Sequence, residues 1–327
     1  MPRLHVSELR GLDVTRIGGP ALRGNAGARA SFEVPLEATL TVAPLVGEAI
    51  ALGAFQRAKS TIDLPRLDGS GISLVRRATG GPALRVGRGQ VHVTLALTNP
   101  AVLGGVADPN RALNRQVRPL LRALDALGNQ PTTFGGRDIV LMGAAPIAWV
   151  GIGHVRSTGA TTIEAIVALS RSFELAAELD LAHGAIAPRF LGRTPSTLEA
   201  VLGRAIDPDA VVGAIVAAYA LQAEDSVATE APASLPMTRV DADEPPFTAM
   251  IEEAIGLLGA RRSVEGRVEL GGDLFASTDA LAALGDALAT LDADEAAAHA
   301  TIEAALEGAL LLGVRDVGAF ARLARAV

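Results

Sequence analysis

Short apolar or alternating runs, separated by Gly, Pro and Asn, dominate the first half of the chain. This pattern is typical of β-strands. It predicts strands over residues 33–42, 48–53, 72–77, 90–97, 138–142, 147–155 and 161–169. Between them, apolar residues recur with a helical period, and Asp108-Pro109 and Gly128 are start and stop signals for a helix over residues 108–127.

The second half is mainly helical in pattern. Residues 196–221 predict two helices, because residues 196–199 (Ser-Thr-Leu-Glu) resemble a capping box and Asp207-Pro208 can open a second helix. Residues 223–246 are rich in Ala, Pro, Ser, Asp and Glu and lack a period, so we interpret them as a linker. The remaining pattern predicts a helix over 247–258, a strand over 264–270 and helices over 278–291, 293–312 and 316–326.

These patterns predict an α/β (α+β) protein with a mixed sheet. We expect a larger domain over residues 1–222, the linker over 223–246 and a small α/β domain over 247–327. The chain has 327 residues, which is enough for a large core and a second, smaller one.

Composition excludes several kinds of chemistry. The chain has no cysteine, which rules out disulfides, thiolate metal sites and a cysteine nucleophile. Its formal net charge is −7 and no basic stripe stands out, so we expect no nucleic-acid partner. We see no signal peptide and no apolar run long enough to span a bilayer, and therefore expect a cytoplasmic protein that does not bind a membrane. No His or carboxylate pairs have metal-ligand spacing, so no metal site is predicted.

The most informative motif is a loop between two predicted strands. Arg76 and Arg77 end the first strand, and Thr79, Gly80 and Gly81 follow. Guanidinium groups bind anions through forked hydrogen bonds, and glycines let backbone N–H groups approach a ligand closely. The sequence therefore predicts a site for an anionic or polar ligand, although a solvated strand end and a plain hairpin turn would also fit these residues.

This loop resembles the Arg-Arg-x-Ser-Gly-Gly-Gly-Ala segment of lipoate–protein ligases, relatives of octanoyltransferases and biotin ligases. Pro82 stands at the third glycine. Residues 49–57, residues 134–140 and the segment 266–275 also resemble segments of that family, the last of them in its accessory domain. The resemblance implies a biotin/lipoate ligase-type catalytic domain followed by a small accessory domain.

The same resemblance implies where a ligand would bind. In the family, the loop closes over the acyl chain and the adenylate, and a following strand borders the pocket. His92 lies on that strand, although a packed or surface histidine is the alternative. The implied ligand-binding residues are Arg76, Arg77, Thr79, Gly80, Gly81, His92, Arg137, Asp138 and Gly151.

The lysine on which the family's chemistry depends is missing. Its position is occupied by Ala145 or Pro146, depending on the register, and the only lysine in the chain is Lys59. ATP activation of a carboxylate develops negative charge that a fixed cation stabilises. Arg137 or Arg156 could replace the lysine, although a guanidinium is bulkier than an ammonium group. No catalytic residue is therefore assigned, and whether the chain is an enzyme stays open.

Three functions follow as hypotheses. The first is a diverged, catalytically impaired lipoate–protein ligase-like protein, a pseudoenzyme that binds a lipoyl, acyl or nucleotide-type ligand or a partner protein. The second is an active ATP-dependent lipoate– or acyl–protein ligase or transferase, for which ATP and lipoyl-AMP would be the cofactors. The third is a non-catalytic subunit of a lipoylation complex, bound to a lipoyl-domain protein or an active ligase. Trp149 is either a core residue or a pocket wall that fills former substrate space.

Overall fold

Among the described residues before 170, strands outnumber helices, as the alternating pattern indicates. The computed structural model describes residues 3–8, 12–13, 37–98, 102–104, 109–128, 130–135, 138–154, 160–181, 189–223, 225–228, 237–239, 247–253, 256–272, 275–276, 278–291, 294–307, 311–312 and 316–327. Its strands are β1 (Arg3–Glu8), β2 (Leu12–Asp13), β3 (Glu37–Val46), β4 (Glu48–Leu52), β5 (Ser73–Arg77), β6 (Leu84–Gly87), β7 (Gln90–Leu97), β8 (Thr132–Phe134), β9 (Ile139–Met142), β10 (Ala145–His154), β11 (Thr161–Ala168), β12 (Asp225–Ala228), β13 (Met237–Arg239), β14 (Ala249–Glu253), β15 (Gly256–Arg262), β16 (Val268–Gly272), β17 (Phe275–Ala276) and β18 (Leu311–Leu312).

The described helices fall into a short pair early in the chain, a middle group and a C-terminal group. They are α1 (Ala58–Thr61), α2 (Leu64–Leu67), α3 (Pro109–Gln116), α4 (Arg118–Gly128), α5 (Leu198–Leu202), α6 (Pro208–Ala220), α7 (Thr278–Ala289), α8 (Glu295–Ala305) and α9 (Gly318–Arg325). Short 3-10 turns lie at Val102–Gly104 and Arg189–Gly192. No described helix is both long enough and apolar enough to cross a membrane.

A large mixed sheet and a small sheet face each other and form the main body of the protein. The large sheet has the order β12-β1-β3-β7-β11-β10-β9-β8, and β2 pairs with β3. The small sheet has the order β13-β5-β4-β6. Helices α4 and α6 pack on one face of the large sheet, around a core rich in Leu, Ile and Val. Its other face packs against the small sheet. Both sheets contain a parallel pair among antiparallel ones, which confirms the predicted α/β class with a mixed sheet.

The C-terminal residues form a hydrophobic cluster of their own. Strands β14, β15 and β16 form an antiparallel sheet, and helices α7, α8 and α9 pack with it. The buried residues at the centre of this cluster include Leu258, Val268, Leu284, Leu288, Ile302 and Phe320. At the junction with the first part, the Arg57 guanidinium donates to the Phe247 carbonyl at 2.6 Å, and the rings of Phe55 and Phe247 lie 6.1 Å apart.

The helix predicted over residues 247–258 is wrong, because the described residues there belong to β14 and β15. Gly259 and Gly271 lie opposite each other in the sheet. A Cβ at either one would lie 2.4 Å from an atom of the Phe247 ring, so both glycines make room for that ring. Such packing between distant residues overrides the local helical period.

The segment predicted to be a linker contains secondary structure. β12 pairs in parallel with β1, and β13 pairs with β5 in the antiparallel sense. Both strands lie at the edge of a sheet. The neighbouring strand there has unpaired backbone N–H and C=O groups, and a short segment can hydrogen-bond to them without a strong apolar pattern of its own. Asp225–Ala228 and Met237–Arg239 are therefore edge strands within the segment predicted to be a linker, while the domain bounds themselves stay a prediction.

Two helix boundaries also differ from the prediction. The single helix expected over 108–127 is divided into α3 and α4 at Val117. Pro119 has no N–H to donate to the carbonyl four residues earlier, and its ring would clash with that carbonyl inside a continuous helix. The capping box is displaced by one residue, since the side chain of Thr197 accepts from the Ala200 N–H and thereby caps α5. Asp108 lies outside the described residues.

Candidate functional site

The face of the large sheet that points toward the small sheet carries a row of polar residues. Thr94 lies opposite Thr41 on one side and Glu164 on the other, and Glu164 lies opposite Gly151. Residues that face each other across neighbouring strands point to the same side of a sheet. The row therefore brings two hydroxyls and one carboxylate into the space beneath the loop that follows β5.

Three side chains from different elements converge on the Glu164 carboxylate. Nε2 of His92 lies 2.8 Å from Oε1, and the Thr79 hydroxyl donates to Oε2. Nε of Arg77 lies 3.9 Å from Oε2. The side chains of Arg77, His92 and Glu164 have no solvent exposure. A buried carboxylate is stable only when it is paired and hydrogen-bonded, and this one is.

These partners keep Glu164 ionised. Burial raises its pKa more than any other single influence. The hydrogen bonds from His92 and Thr79, together with the electrostatic effects of His92 and Arg77, outweigh burial and hold the pKa of Glu164 below the usual range of a glutamate. A negative charge is thus fixed between the two sheets at neutral pH.

Arg77 uses its guanidinium within its own loop. Nη1 donates to the Ala51 carbonyl at 2.5 Å, and Nη2 donates to the carbonyls of Gly80 and Pro82 at 3.0 and 2.8 Å. Its Cζ lies 4.2 Å from the centroid of the Trp149 ring, within the range of a cation–π interaction. The guanidinium therefore holds the loop, the carboxylate and the indole together.

Trp149 fills the space between the loop and β10. The indole is fully buried. A Cβ at Gly151 would lie 2.3 Å from Cη2 of the ring, and a Cβ at Gly81 would lie 3.0 Å from Cζ2. Gly81 also has a φ of +92°, which favours glycine. These two glycines make room for the indole, and buried Leu141 packs in the same cluster.

Arg76 points to the opposite side of β5 from Arg77, as successive strand residues do. Its Nη1 donates to the carbonyls of Gly53, Ala54 and Gln56 at 3.1, 3.3 and 2.5 Å. These hydrogen bonds connect the loop that follows β4 to strand β5.

The other predicted site residues are distributed as follows. Gly80 and Thr79 are buried in the loop, and the Gly80 N–H donates to the Ile152 carbonyl at 3.3 Å. Asp138 is half-buried before β9, and its carbonyl accepts from Val150 at 2.7 Å. Arg137 lies outside the described residues. The structure thus brings Arg77, Thr79, His92 and Gly151 together around Glu164.

The residues where the resemblance places the lysine lie at the start of β10. Neither Ala145 nor Pro146 supplies a cation, and the Pro146 carbonyl accepts a hydrogen bond from Ser196 at 2.8 Å. Within the described residues, no group of three or more His, Cys, Asp or Glu side chains could hold a metal ion.

Sequence reasoning missed Glu164. Its partners His92 and Thr79 lie 72 and 85 residues away in the chain, so no local motif connects them. The one available signal was its place in β11, where it is the sole charged residue in an otherwise apolar or hydroxyl-bearing strand. Charged side chains are almost never fully buried unless they are paired.

Comparisons with known proteins identify related sequences and folds. Residues 46–220 match the family of lipoyl protein ligase A/B catalytic domains. P. falciparum LipL1, solved in complex with lipoate, is 12% identical, with a TM-score of 0.57 over 99% of this chain and 98% of that one. A lipoate–protein ligase A bound with ATP is 15% identical, with a TM-score of 0.50 over 70% of this chain and 89% of that one. A search of curated protein sequences gave no match.

Proposed function

The chain belongs to the lipoyl protein ligase A/B family, whose catalytic domain matches more than half of it, and we propose that it is a catalytically impaired member that acts by binding a partner protein. The partner is a lipoyl-domain protein or an active ligase. One observation carries this proposal: Trp149 and Glu164 fill the space beneath the loop that resembles the family's ligand loop.

The charges at this site argue against ordinary ligase chemistry. Adenylation needs a fixed cation where negative charge develops on the carboxylate and the phosphate. Ala145 and Pro146 provide none, and the Arg77 guanidinium already lies beside Glu164 and donates to three carbonyls of its own chain. Loss of one such electrostatic partner lowers a rate by roughly a hundred- to a thousandfold.

The packing of the site argues against a small-molecule ligand. An acyl chain or a nucleotide beneath the loop would have to displace the buried indole and the Glu164 carboxylate. We therefore favour a partner protein over a free lipoyl, acyl or nucleotide-type ligand, and this protein needs neither ATP nor lipoyl-AMP as a cofactor.

The first test is lipoate transfer. We expect the purified chain to leave an acceptor lipoyl domain unmodified in the presence of lipoate, ATP and Mg²⁺, as measured by mass spectrometry. A ligase-competent family member, assayed alongside, is the positive control. Lipoylated acceptor formed at the rate of the control, together with ATP-dependent release of pyrophosphate, would instead support the active-ligase alternative.

The second test is partner binding. We expect calorimetry to detect binding to a lipoyl domain or to an active ligase from the same source, and no heat with lipoate, octanoate or ATP. Saturable binding of lipoate to the wild-type chain, without binding to either protein, would contradict the proposal.

A further inference from the structure

A cavity lies on the outer face of the small sheet, the face that points away from the large sheet. Ile50 of β4 lies opposite Arg85 of β6, so both side chains point to this outer face, where they line the cavity. Ala49 and Ala51, which alternate with Ile50 along β4, belong to the inner cluster that contains Trp149. The sheet itself therefore separates this cavity from the candidate site.

The cavity has a volume of about 350 Å³. Ligand pockets range from about 300 to about 1,000 Å³, so this one lies at the small end and suits a compact molecule. The elements around it are joined by backbone hydrogen bonds. The Arg85 N–H donates to the Phe173 carbonyl and the Asp63 N–H donates to the Leu179 carbonyl, both at 3.0 Å. The walls therefore belong to one hydrogen-bonded part of the fold.

The cavity is apolar at its floor and charged at its rim. Ile50, Leu175 and Leu179 line it, are 1%, 7% and 8% exposed, and belong to one hydrophobic cluster. Arg66 and Glu178 line the same cavity but are exposed. A ligand that matches this arrangement has an apolar part that enters the cavity and charged groups that stay at the rim, where water also reaches them.

The rim offers both signs of charge. The Arg66 guanidinium donates to the backbone carbonyl of Glu178 at 3.3 Å, which makes the two residues neighbours. Within the described part of the chain, neither the Arg66 guanidinium nor the Glu178 carboxylate forms an ion pair. A ligand that carries one anionic and one cationic group can therefore pair with both residues.

Arg85 supplies a second cation to the cavity. Its Nη2 donates to Glu48 at 3.0 Å, and its Nε is buried without a hydrogen-bond partner among the described residues. Arg171 also binds Glu48, at 2.5 Å, so one carboxylate serves two guanidinium groups and one positive charge is left over. Because buried polar atoms are almost always hydrogen-bonded, the free Nε indicates a place for an acceptor from a ligand.

We propose that this cavity binds an α-amino acid with an apolar side chain. The side chain packs on the apolar floor, the carboxylate accepts hydrogen bonds from Arg66 and Arg85, and the ammonium group donates to Glu178. A monocarboxylate has no group for Glu178, and an amine has none for the two arginines, so the complete amino acid is preferred to either. The inference goes beyond the proposed function and does not depend on it.

The first experiment compares L-leucine with three matched probes by calorimetry on the wild-type chain. The probe 4-methylpentanoate lacks the ammonium group, 3-methylbutylamine lacks the carboxylate, and L-serine lacks the apolar side chain. We expect saturable binding of L-leucine, and binding of each other probe at least about tenfold weaker, the effect of one hydrogen bond to a charged group or of one buried apolar side chain. Absence of L-leucine binding, or 4-methylpentanoate binding as tight as that of L-leucine, would overturn the proposal.

The second experiment removes one rim charge at a time. Arg66→Gln should weaken L-leucine binding at least about tenfold and leave 3-methylbutylamine binding unchanged. Glu178→Gln should also weaken L-leucine binding, but it should strengthen binding of 4-methylpentanoate, whose carboxylate no longer meets a like charge. Both residues are exposed, so neither change should unfold the protein. Unchanged L-leucine affinity in both variants would contradict the proposed site.

Matched controls are available close by in the chain. Arg88 and Glu174 are exposed and do not line the cavity. Arg88→Gln and Glu174→Gln change the net charge as the two rim variants do, and we expect both to bind L-leucine like the wild type. If these controls lost as much affinity as the rim variants, the effect would be one of net charge and the assigned site would be wrong. Lipoate transfer by the wild type would contradict the proposed function and would leave this result unaffected.

Discussion

Two glutamates in this protein are each held by two basic side chains, and they differ chiefly in burial. Glu164 binds His92 and lies beside Arg77, with all three side chains buried. Glu48 on β4 binds Arg85 at 3.0 Å and Arg171 at 2.5 Å, and these three side chains are 30–35% exposed. The pKa of both carboxyls is lowered: at Glu48 mainly by the hydrogen bonds from the two arginines, at Glu164 by partners that outweigh its burial.

The comparison shows that a lowered pKa alone does not identify a critical carboxylate. At Glu48, water and salt can replace either partner, so the interaction contributes little to stability. The side chains around Glu164 are shielded from solvent, so each lost contact leaves a buried group without compensation. Burial, and not the number of ionic partners, therefore determines how strongly the fold depends on each glutamate.

The largest difference is expected when each carboxylate is removed. The variant Glu164→Ala should lower the free energy of unfolding by about 3–5 kcal/mol, because the Arg77 charge remains buried without it. The variant Glu48→Ala should lower it by about 1 kcal/mol or less. Urea denaturation at pH 7 measures both. Equal losses at the two positions would contradict the role that we assign to burial.

Much of the fold could be predicted from the sequence because its signals are local. Strand β7 was predicted with the correct ends, since its apolar residues lie between turn signals. The N-cap of α6 at Asp207 was likewise predicted from Asp207-Pro208. The edge strands β12 and β13 could not be predicted, because their pairing depends on sheet edges formed by distant residues.

The candidate site was only partly predictable for the same reason. Arg77 and Thr79 belong to one loop motif, and both lie beside the Glu164 carboxylate, while Gly81 of the same motif lies against the Trp149 indole. The sequence could not show that Arg77 faces a carboxylate of its own chain, because Glu164 is 87 residues further along and only the alignment of β7 with β11 brings it to the loop. An arginine-rich loop therefore predicts a site for an anion without showing whether the protein supplies that anion.

A second, smaller difference is expected between two histidines. His92 donates to the buried Glu164, whereas His299 lies 3.9 Å from Glu303 on the exposed surface of α8. His92→Leu should lower the free energy of unfolding by about 1.5–3 kcal/mol, the range for a hydrogen bond to a charged group. His299→Leu should change it by about 0.5 kcal/mol or less. Denaturation of both variants at pH 7 makes the comparison, and a larger loss at His299 would contradict it.

The pH dependence of the free energy of unfolding should show that Glu164 is ionised in the folded protein. Because folding lowers the pKa of Glu164 below its ordinary 4.5, its ionised form contributes stability above that pH. This contribution is lost as the pH falls through 4.5 and toward the lower pKa of the folded state. The stability difference between wild type and Glu164→Gln should therefore be constant near neutral pH and shrink below about pH 4.5. A difference that grows on acidification would contradict the assignment of an ionised Glu164.

The smallest expected effect is a response to salt. Ions screen exposed charges at a Debye length of about 8 Å at physiological ionic strength and about 3 Å at 1 M, but they do not penetrate a buried pair. Raising NaCl to about 1 M should remove most of the stability difference between wild type and Glu48→Ala, which is itself about 1 kcal/mol or less. The difference between wild type and Glu164→Ala should not change beyond the general effect of salt on the fold. Parallel urea titrations at low and high salt measure both differences, and the wild type corrects for that general effect. The contrary result is that salt reduces the stability difference for Glu164→Ala as strongly as the one for Glu48→Ala. That result would mean that water and ions reach the cluster and that the buried indole of Trp149 does not exclude them.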